Sequence, residues 1–223
     1  MLFRSKKIGL VIAILFLVEN VHAQNASIKD SLKNITDTIE AFYPNGFEGF
    51  RKFLQKTLNA NAPSENNSPL GIYTTITSFN VNTSGVLTDI KAETNVGFGA
   101  EAEAIRVIKK SGNWIPASSK GKTIKSTYKQ PITFAVEEDG IDFKSNNGYY
   151  TLIAGETNQI SIKIRKTKNS SFIVSVSEGS IINNEDGNYN LQPEKVGRLL
   201  ISVHNKKNNK LICSAYFNVI KKK

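Results

Sequence analysis

The sequence contains few of the residues that usually carry covalent or metal chemistry. It has one Cys, Cys213, and two His among 223 residues. A single Cys excludes an internal disulfide, whereas a eukaryotic secreted chain of this size often carries several. His22 lies in the N-terminal segment, which leaves His204, and one His cannot form a multi-His metal site.

Recognisable catalytic motifs are also missing. The chain has no G-x-S-x-G elbow, no glycine-rich phosphate loop and no H-E-x-x-H pattern, and its carboxylates are scattered over turns. His204 and Cys213 form a dyad only in principle, because Cys213 has the phase of a buried strand residue and such a Cys is usually inert. We therefore predict no enzymatic activity, no metal and no cofactor.

The first 23 residues have the pattern of a secretory signal peptide. A basic start is followed by an apolar run over residues 8–18 and by a small-residue cleavage site, Val21-His22-Ala23. The run is shorter than the roughly 20 residues that cross a bilayer. We therefore expect cleavage before Gln24 and a periplasmic location. The alternative is an uncleaved anchor in the inner membrane.

Acidic residues are outnumbered by basic ones, 19 against 29, so the formal net charge is +10. A basic balance is compatible with nucleic acid, but the Lys residues are dispersed and the signal peptide indicates export. We expect instead an anionic envelope partner, such as lipopolysaccharide, peptidoglycan or an acidic receptor segment. The final Lys221-Lys222-Lys223 is interpreted as a solvated tail.

Residues 24–42 are predicted to form an amphipathic leader helix. Ile28, Leu32, Ile35 and Ile39 are spaced to lie on one helical stripe. A helix of this length is marginal in water by itself. We therefore favour a helix docked on its own domain, or a frayed leader, over a helix that binds a partner.

Residues 43–137 are predicted to form an α+β domain. Helical spacing of apolar residues marks residues 46–60 and 97–110, and β-branched and aromatic residues mark strands over 71–81, 86–93 and 124–136. Turn residues separate the first two strands. The expected architecture is two helices on one face of a three-stranded antiparallel sheet.

The third strand is predicted to be an edge strand that binds a partner. Pro131 has no N–H and therefore belongs at an edge or a strand end. An edge offers unpaired main-chain groups to a visiting strand. Nearby Lys residues disfavour self-pairing and favour an acidic partner; the alternative is an ordinary solvated edge. The predicted binding residues are Ile124, Lys125, Ser126, Thr127, Tyr128 and Lys129.

This domain resembles the C-terminal domain of TonB in the form common in Bacteroidetes. The resemblance depends on the order and spacing of short pieces, which include Phe79-Asn80-Val81 and Glu103 to Ile108 as well as a set of motif positions. Those positions are Tyr43, Pro44, Gly46, Gly85, Trp114, Pro116, Gly121 and Pro131.

The TonB resemblance implies a function in the periplasm. Domains of this family bind a segment of an outer-membrane receptor by strand addition, in support of transmembrane transport. With six Pro, the chain has no Pro-rich spacer like that of a full energy transducer. The expectation is therefore a TonB-like protein that binds receptors, with force transmission left open by the sequence.

Residues 138–223 are predicted to form an all-β, Ig-like sandwich. Strand-like runs are separated by Gly and Asn turn signals at intervals of about 8–12 residues. This half resembles, more weakly, the Ig-like C-terminal domain of GldM, through Leu152 to Gly155, Asn158 to Ile162, Gly187-Asn188-Tyr189 and Gly197. That resemblance implies the alternative function, a structural adaptor of the cell envelope or of a gliding or secretion machine.

Overall fold

The computed structural model describes residues 38–222, which divide into two compact units. The first unit comprises residues 38–59 and 74–133, and the second comprises residues 60–73 and 134–222. The predicted signal peptide lies outside the described residues, as does the predicted leader helix up to residue 37. The end of that predicted helix is not helical, because Thr38–Ile39 forms a strand.

Short helices and many strands make up the chain. The helices are α1 (Gly46–Thr57), α2 (Ala62–Glu65) and α3 (Ala100–Lys110). The strands are β1 (Thr38–Ile39), β2 (Gly71–Val81), β3 (Leu87–Ala92), β4 (Ala117–Ser119), β5 (Lys122–Ile124), β6 (Ser126–Val136), β7 (Ile141–Ser145), β8 (Thr151–Ile153), β9 (Asn158–Ile164), β10 (Phe172–Val176), β11 (Ser180–Asn183), β12 (Asn188–Gln192), β13 (Gly197–Asn205) and β14 (Leu211–Ile220).

The predicted fold class is wrong for the first part of the chain. Strands account for 48% of the described residues and helices for 16%, in four sheets, so the protein is mostly β. The N-terminal part has a second sheet, of order β1-β4-β5, built from strands of two or three residues. Strands this short show no hydrophobic alternation, so sequence periodicity does not reveal them. The all-β prediction for the C-terminal part is confirmed.

The larger sheet of the first unit has the order β3-β2-β6, and α3 packs against β3. Helix α3 forms because Ala104, Val107 and Ile108 recur at helical spacing, and all three are fully buried. Its first turn is acidic and its last turn basic, which complements the helix dipole. The Glu101 carboxylate also accepts hydrogen bonds from the backbone N–H groups of Val96 and Gly97.

An aromatic cluster around Trp114 forms the core of the first unit. The Trp114 ring centroid lies 5.0 Å from that of Phe79, 5.0 Å from that of Tyr128 and 5.5 Å from that of Phe50. The indole Nε1 donates a hydrogen bond to Ser111 Oγ at 2.9 Å, so the polar edge of the buried ring is satisfied. This cluster fixes the inner face of β6.

The second unit is a sandwich of two four-stranded sheets, β10-β13-β14-β8 and β11-β12-β9-β7. Strand β8 runs parallel to β14, and the other named pairs are antiparallel. Inward-facing residues alternate along the strands, so that Leu199, Ile201 and Phe217 are fully buried. The Phe143 and Phe217 rings, from different sheets, lie 6.3 Å apart in the core.

Residues 60–73 belong to the second unit, although about sixty residues separate them from its remaining part, residues 134–222. Leu70 forms an isolated parallel bridge beside Ala215 of β14. Its N–H donates to Ser214 O at 2.9 Å, and its carbonyl accepts from Tyr216 N at 2.8 Å. The Arg198 guanidinium lies over the rings of Tyr216 and Tyr73, at 4.0 and 4.9 Å from their centroids.

Candidate strand-binding edge

Strand β6 forms one edge of the sheet β3-β2-β6, as the position of Pro131 predicts. Thr133 Oγ1 lies 2.9 Å from Thr74 Oγ1, and Thr127 Oγ1 donates a hydrogen bond to Asn80 Oδ1 at 2.8 Å. Residue numbers rise along β6 while they fall along β2, so the two strands are antiparallel. These contacts place residue 74 opposite 133 and residue 80 opposite 127.

The direction of the main-chain groups follows from the neighbouring strand pair. The N–H of Glu93 donates to Ile76 O at 2.8 Å, so the main-chain groups of Ile76 point towards β3 and away from β6. Pro131 lies opposite Ile76, and its groups therefore point away from β2, to the free edge. Thr127 and Lys129 have the same parity, so their N–H and C=O groups face outwards as well.

A groove runs along this free edge, and we call it the β6 groove. It has a volume of about 400 Å³ and lies between Ser126–Lys129 on one side and residues 38–41 on the other. Ala41 and Ala117, each 2% exposed, lie along its base and leave room because their side chains are small.

Tyr128 is the aromatic residue of the β6 groove. One face of its ring packs in the Trp114 cluster, while the residue also lines the groove and is half-buried. Burial raises the pKa of the Tyr128 hydroxyl, and the Glu40 carboxylate raises it further. The hydroxyl therefore stays protonated at neutral pH and can donate to an acceptor in the groove.

The charges at the edge differ from one lysine to the next. Lys129 Nζ forms an ion pair with Glu93 Oε2 at 2.6 Å, and this contact lowers the pKa of Glu93. Lys125 is exposed and forms no ion pair with another described residue. Glu40 lies on the opposite wall. Lys125 does not line the groove itself, but its two neighbours in the chain do, so a positive charge outside any ion pair with a described residue borders the groove.

The predicted edge segment, 124–129, is not one continuous strand. Ile124 belongs to β5, where it pairs with Ala117 of β4, and β6 begins only at Ser126. Lys125 lies between the two strands. The segment predicted as one strand therefore includes a change of sheet at Lys125. The part of the predicted segment that offers a free edge is Ser126, Thr127, Tyr128 and Lys129.

The motif positions of the TonB resemblance lie in structural roles around this edge. The Tyr43 ring packs on Phe50 and Trp114, at 5.3 and 5.8 Å between centroids. Pro44 and Gly46 precede and begin α1, Gly85 lies in the β2–β3 turn, Pro116 precedes β4, and Gly121 lies in the β4–β5 turn. The Trp114 N–H donates to Gly85 O at 2.9 Å, which joins two of these positions directly.

Sequence reasoning missed one wall of the β6 groove. The sequence predicts a leader helix that includes Thr38, Glu40 and Ala41, but Thr38 and Ile39 pair with Ser119 and Ser118 in β4. The apolar stripe through Ile39 favoured a helix, and a two-residue strand gives no competing signal. The sequence gives no signal either for the isolated bridge between Phe42 and Ile115, two apolar residues in loops.

The residues considered for chemistry remain apart from the groove. Cys213 is buried in β14 as a free thiol, and His204 lies near the end of β13. The described residues hold no group of three His, Cys, Asp or Glu side chains arranged to bind a metal ion. Between residues 38 and 222, no helix has both the length and the apolar character needed to cross a membrane.

No protein-family model and no curated protein matches this chain.

Proposed function

We propose that this protein binds an extended segment of an outer-membrane receptor by adding it as a strand to the edge of β6, as a TonB-like protein in support of transmembrane transport. The observation that carries the proposal is the outward direction of the main-chain groups at Thr127 and Lys129 beside an open groove. Main-chain hydrogen bonds of this kind give affinity, while side-chain pockets give selectivity.

The partner segment is an extended, acidic polypeptide. Lys125 is exposed between the groove-lining residues Ile124 and Ser126, and Lys120 and Lys122 in the neighbouring β4–β5 hairpin are exposed as well. The Tyr128 hydroxyl offers a donor to a carbonyl or carboxylate. The residues Ala41 and Ala117 at the base leave space for an apolar side chain of the partner. The proposed setting is the periplasm, where receptor segments of this kind are accessible.

The main-chain direction supplies a sharp test with two neighbouring substitutions. Thr127→Pro removes an N–H that faces the groove, so peptide binding should weaken about tenfold or more while β6 stays paired with β2. Ser126→Pro removes an N–H that faces β2 and should damage the sheet itself. Ser126→Ala is the matched control, because Ser126 Oγ has no hydrogen-bond partner among the described residues and its loss should be silent.

The measurement uses the full chain and synthetic peptides that cover the periplasmic segments of the same bacterium's TonB-dependent receptors. Fluorescence anisotropy gives the Kd for each variant, and Trp114 emission checks the fold. The proposal is wrong if no receptor peptide binds, or if Thr127→Pro folds normally and binds as tightly as the parent. In a pull-down with the full chain from outer-membrane extract, recovery of gliding or secretion components in place of receptors would support the adaptor function.

A further inference from the structure

A large cleft lies at one side of the sandwich, between strands β10 and β11. These two strands are edges of different sheets, and the turn over residues 177–179 joins them. The space between them has a volume of about 760 Å³. We call it the β10–β11 cleft. It is separate from the β6 groove, since all of its lining residues belong to the second unit.

The inward-facing side chains at the cleft are less covered than those at the centre of the sandwich. Leu199 and Ile201 of β13 are fully buried. Val174 of β10 and Ile181 of β11 also line the space between the sheets, yet both are only half-buried. The edge of the core is therefore accessible to solvent along about the length of one short strand.

A tyrosine hydroxyl borders the cleft. Tyr189 is 4% exposed and lines the cleft, and its hydroxyl forms no hydrogen bond with any residue of the described chain. Burial raises the pKa of this hydroxyl, so it is a neutral donor at physiological pH. Because the residue borders the cleft, its hydroxyl can donate to an acceptor on an occupant of the cleft.

The edge of β10 also presents free main-chain groups. Lys206 N donates to Ser171 O, and Ser177 N donates to Leu200 O, each at 2.9 Å. Residues 171 and 177 thus lie in hydrogen-bonded pairs with β13, as do the residues of the same parity between them. The main-chain N–H and C=O of Val174 have the opposite parity and point away from β13. They are positioned to pair with an additional strand.

The mouth of the cleft is charged but balanced. Lys168 and Lys206 line it from the side of β10, whereas Glu185 and Asp186 line it from the β11–β12 turn. None of these four side chains forms an ion pair within the described residues. Two positive and two negative charges favour a partner whose own charges sum to zero.

We propose that the β10–β11 cleft binds an extended, electrically neutral polypeptide segment of a partner protein, about five residues long, with aliphatic side chains at alternate positions. Its main chain pairs with Val174, its alternate side chains cover Val174 and Ile181, and one of its carbonyl groups accepts the hydrogen bond of the Tyr189 hydroxyl. The length follows from β10, which has five residues.

A carbohydrate fits this cleft less well than a strand. Sugar recognition commonly uses an exposed aromatic face, but the Tyr189 and Phe172 rings are 4% and 3% exposed and leave only edges accessible. Two free strand edges, by contrast, match a main chain directly. The second site would give the protein two strand-binding surfaces of different charge preference.

The test uses the full chain and a synthetic library of neutral heptapeptides with Val or Ile at alternate positions and Thr or Ser between them. The expected result is that selected members bind, that their affinity changes little with salt, and that backbone NMR shifts map to β10 and β11. Thr127→Pro should leave this binding unchanged, which separates the cleft from the β6 groove.

Two variants decide whether the assigned residues carry the binding. Tyr189→Phe removes only the hydroxyl, which forms no hydrogen bond with the described residues, so stability should be unchanged while affinity falls about 2- to 10-fold. Val174→Pro removes an outward N–H and should abolish binding, with Ser175→Ala as the silent control. The proposal is overturned if no library member binds, if the shifts map elsewhere, or if Tyr189→Phe lowers stability and leaves affinity intact.

Discussion

Glu103 and Arg106, one turn apart on α3, form an ion pair at 2.6 Å and together hold the end of α1. The Glu103 carboxylate accepts a hydrogen bond from Asn59 N at 2.6 Å, and the Arg106 guanidinium donates to Thr57 O, also at 2.6 Å. Thr57 is the last residue of α1, whose final carbonyl groups have no partner within the helix. The pair therefore links two helices of the first unit through their backbones.

We predict that Glu103→Gln destabilises the first unit by about 1–3 kcal/mol at neutral pH, because the buried carboxylate, which binds the half-exposed Arg106 and the Asn59 N–H, loses its charge. Trp114, the chain's single Trp, reports the unfolding in urea by its fluorescence. Glu48→Gln is the control: Glu48 pairs with Arg51 at 2.7 Å on the surface of α1, where such pairs contribute little.

The same substitution makes a prediction about pH. Burial raises the pKa of Glu103, but the Arg106 guanidinium and the Asn59 N–H outweigh burial, and the pKa is lowered from its ordinary value of 4.5. A lowered folded-state pKa stabilises the protein above 4.5, and this stability is lost as the pH falls through the folded value. The difference between parent and Glu103→Gln should therefore shrink in acid. An equal difference in stability at neutral pH and in acid would contradict this assignment.

Gly85 is predicted to be intolerant of a side chain. It has φ of +81°, and a Cβ there would collide with the Trp114 carbonyl group. Gly85→Ala should therefore lower stability by more than backbone strain alone, which is about 1–2 kcal/mol for a left-handed residue. Gly112→Ala isolates the strain, because Gly112 has φ of +74° with open space around it. The two variants should differ in urea midpoint; equal losses would show that the contact with Trp114 is unimportant.

Gly85 and Trp114 also show what the sequence could predict. Turn residues before a strand, and a Trp after a helix, are local signals, and the structure joins them through one main-chain hydrogen bond. Strand β6 was predicted as an edge because the missing N–H of Pro131 is a local property. The inward alternation of β13 and β14 in the sandwich was equally readable from the chain.

The failures come from short or distant relationships. Strands β1, β4 and β5 have two or three residues, fewer than any periodic pattern needs. The pairing of Leu70 with β14 joins positions about 145 apart and depends on backbone groups, which every residue has. The β10–β11 cleft exists because two strand ends separate in space, and the place of the Tyr189 hydroxyl beside it becomes visible only when its surroundings are known.

Asn158 is predicted to be the most sensitive polar residue of the sandwich. Its side chain is fully buried, accepts from Ile153 N at 2.8 Å and from Asn147 Nδ2 at 2.7 Å, and donates to the carbonyl groups of Ile153 and Glu156. Asn158→Ala leaves several of these groups unsatisfied and should cost about 3 kcal/mol. Asn147→Ala, which loses one bond to Asn158, should cost about 1 kcal/mol. Urea unfolding followed by circular dichroism measures both, and similar losses would refute the ranking.

The last prediction concerns alkaline pH and Tyr73. This residue is 1% exposed, and its hydroxyl donates to Pro69 O at 2.7 Å. Burial raises the pKa of Tyr73 to about 12, from an ordinary value of 10.0, although Ser68 and the Arg198 guanidinium oppose the shift. Between these two values the unfolded chain has lost the proton that the folded chain keeps. Stability should therefore fall as the pH rises above 10, by about 1.4 kcal/mol per pH unit for this one group.

Tyr73→Phe should reduce the slope of the unfolding free energy against pH by the contribution of one proton. At neutral pH the variant also loses the hydrogen bond to Pro69. Burial raises the pKa of Tyr150 and of Tyr189 too, so part of the slope should persist. Tyr149→Phe, at a position that is 61% exposed, is the matched control. Urea midpoints between about pH 9 and 11, with phenolate absorbance recorded in parallel, give the slopes. The contrary outcome is that Tyr73→Phe and the parent lose the same stability per pH unit. Tyr73 would then ionise as readily in the folded protein as in the unfolded chain, and burial would not raise the pKa of its hydroxyl.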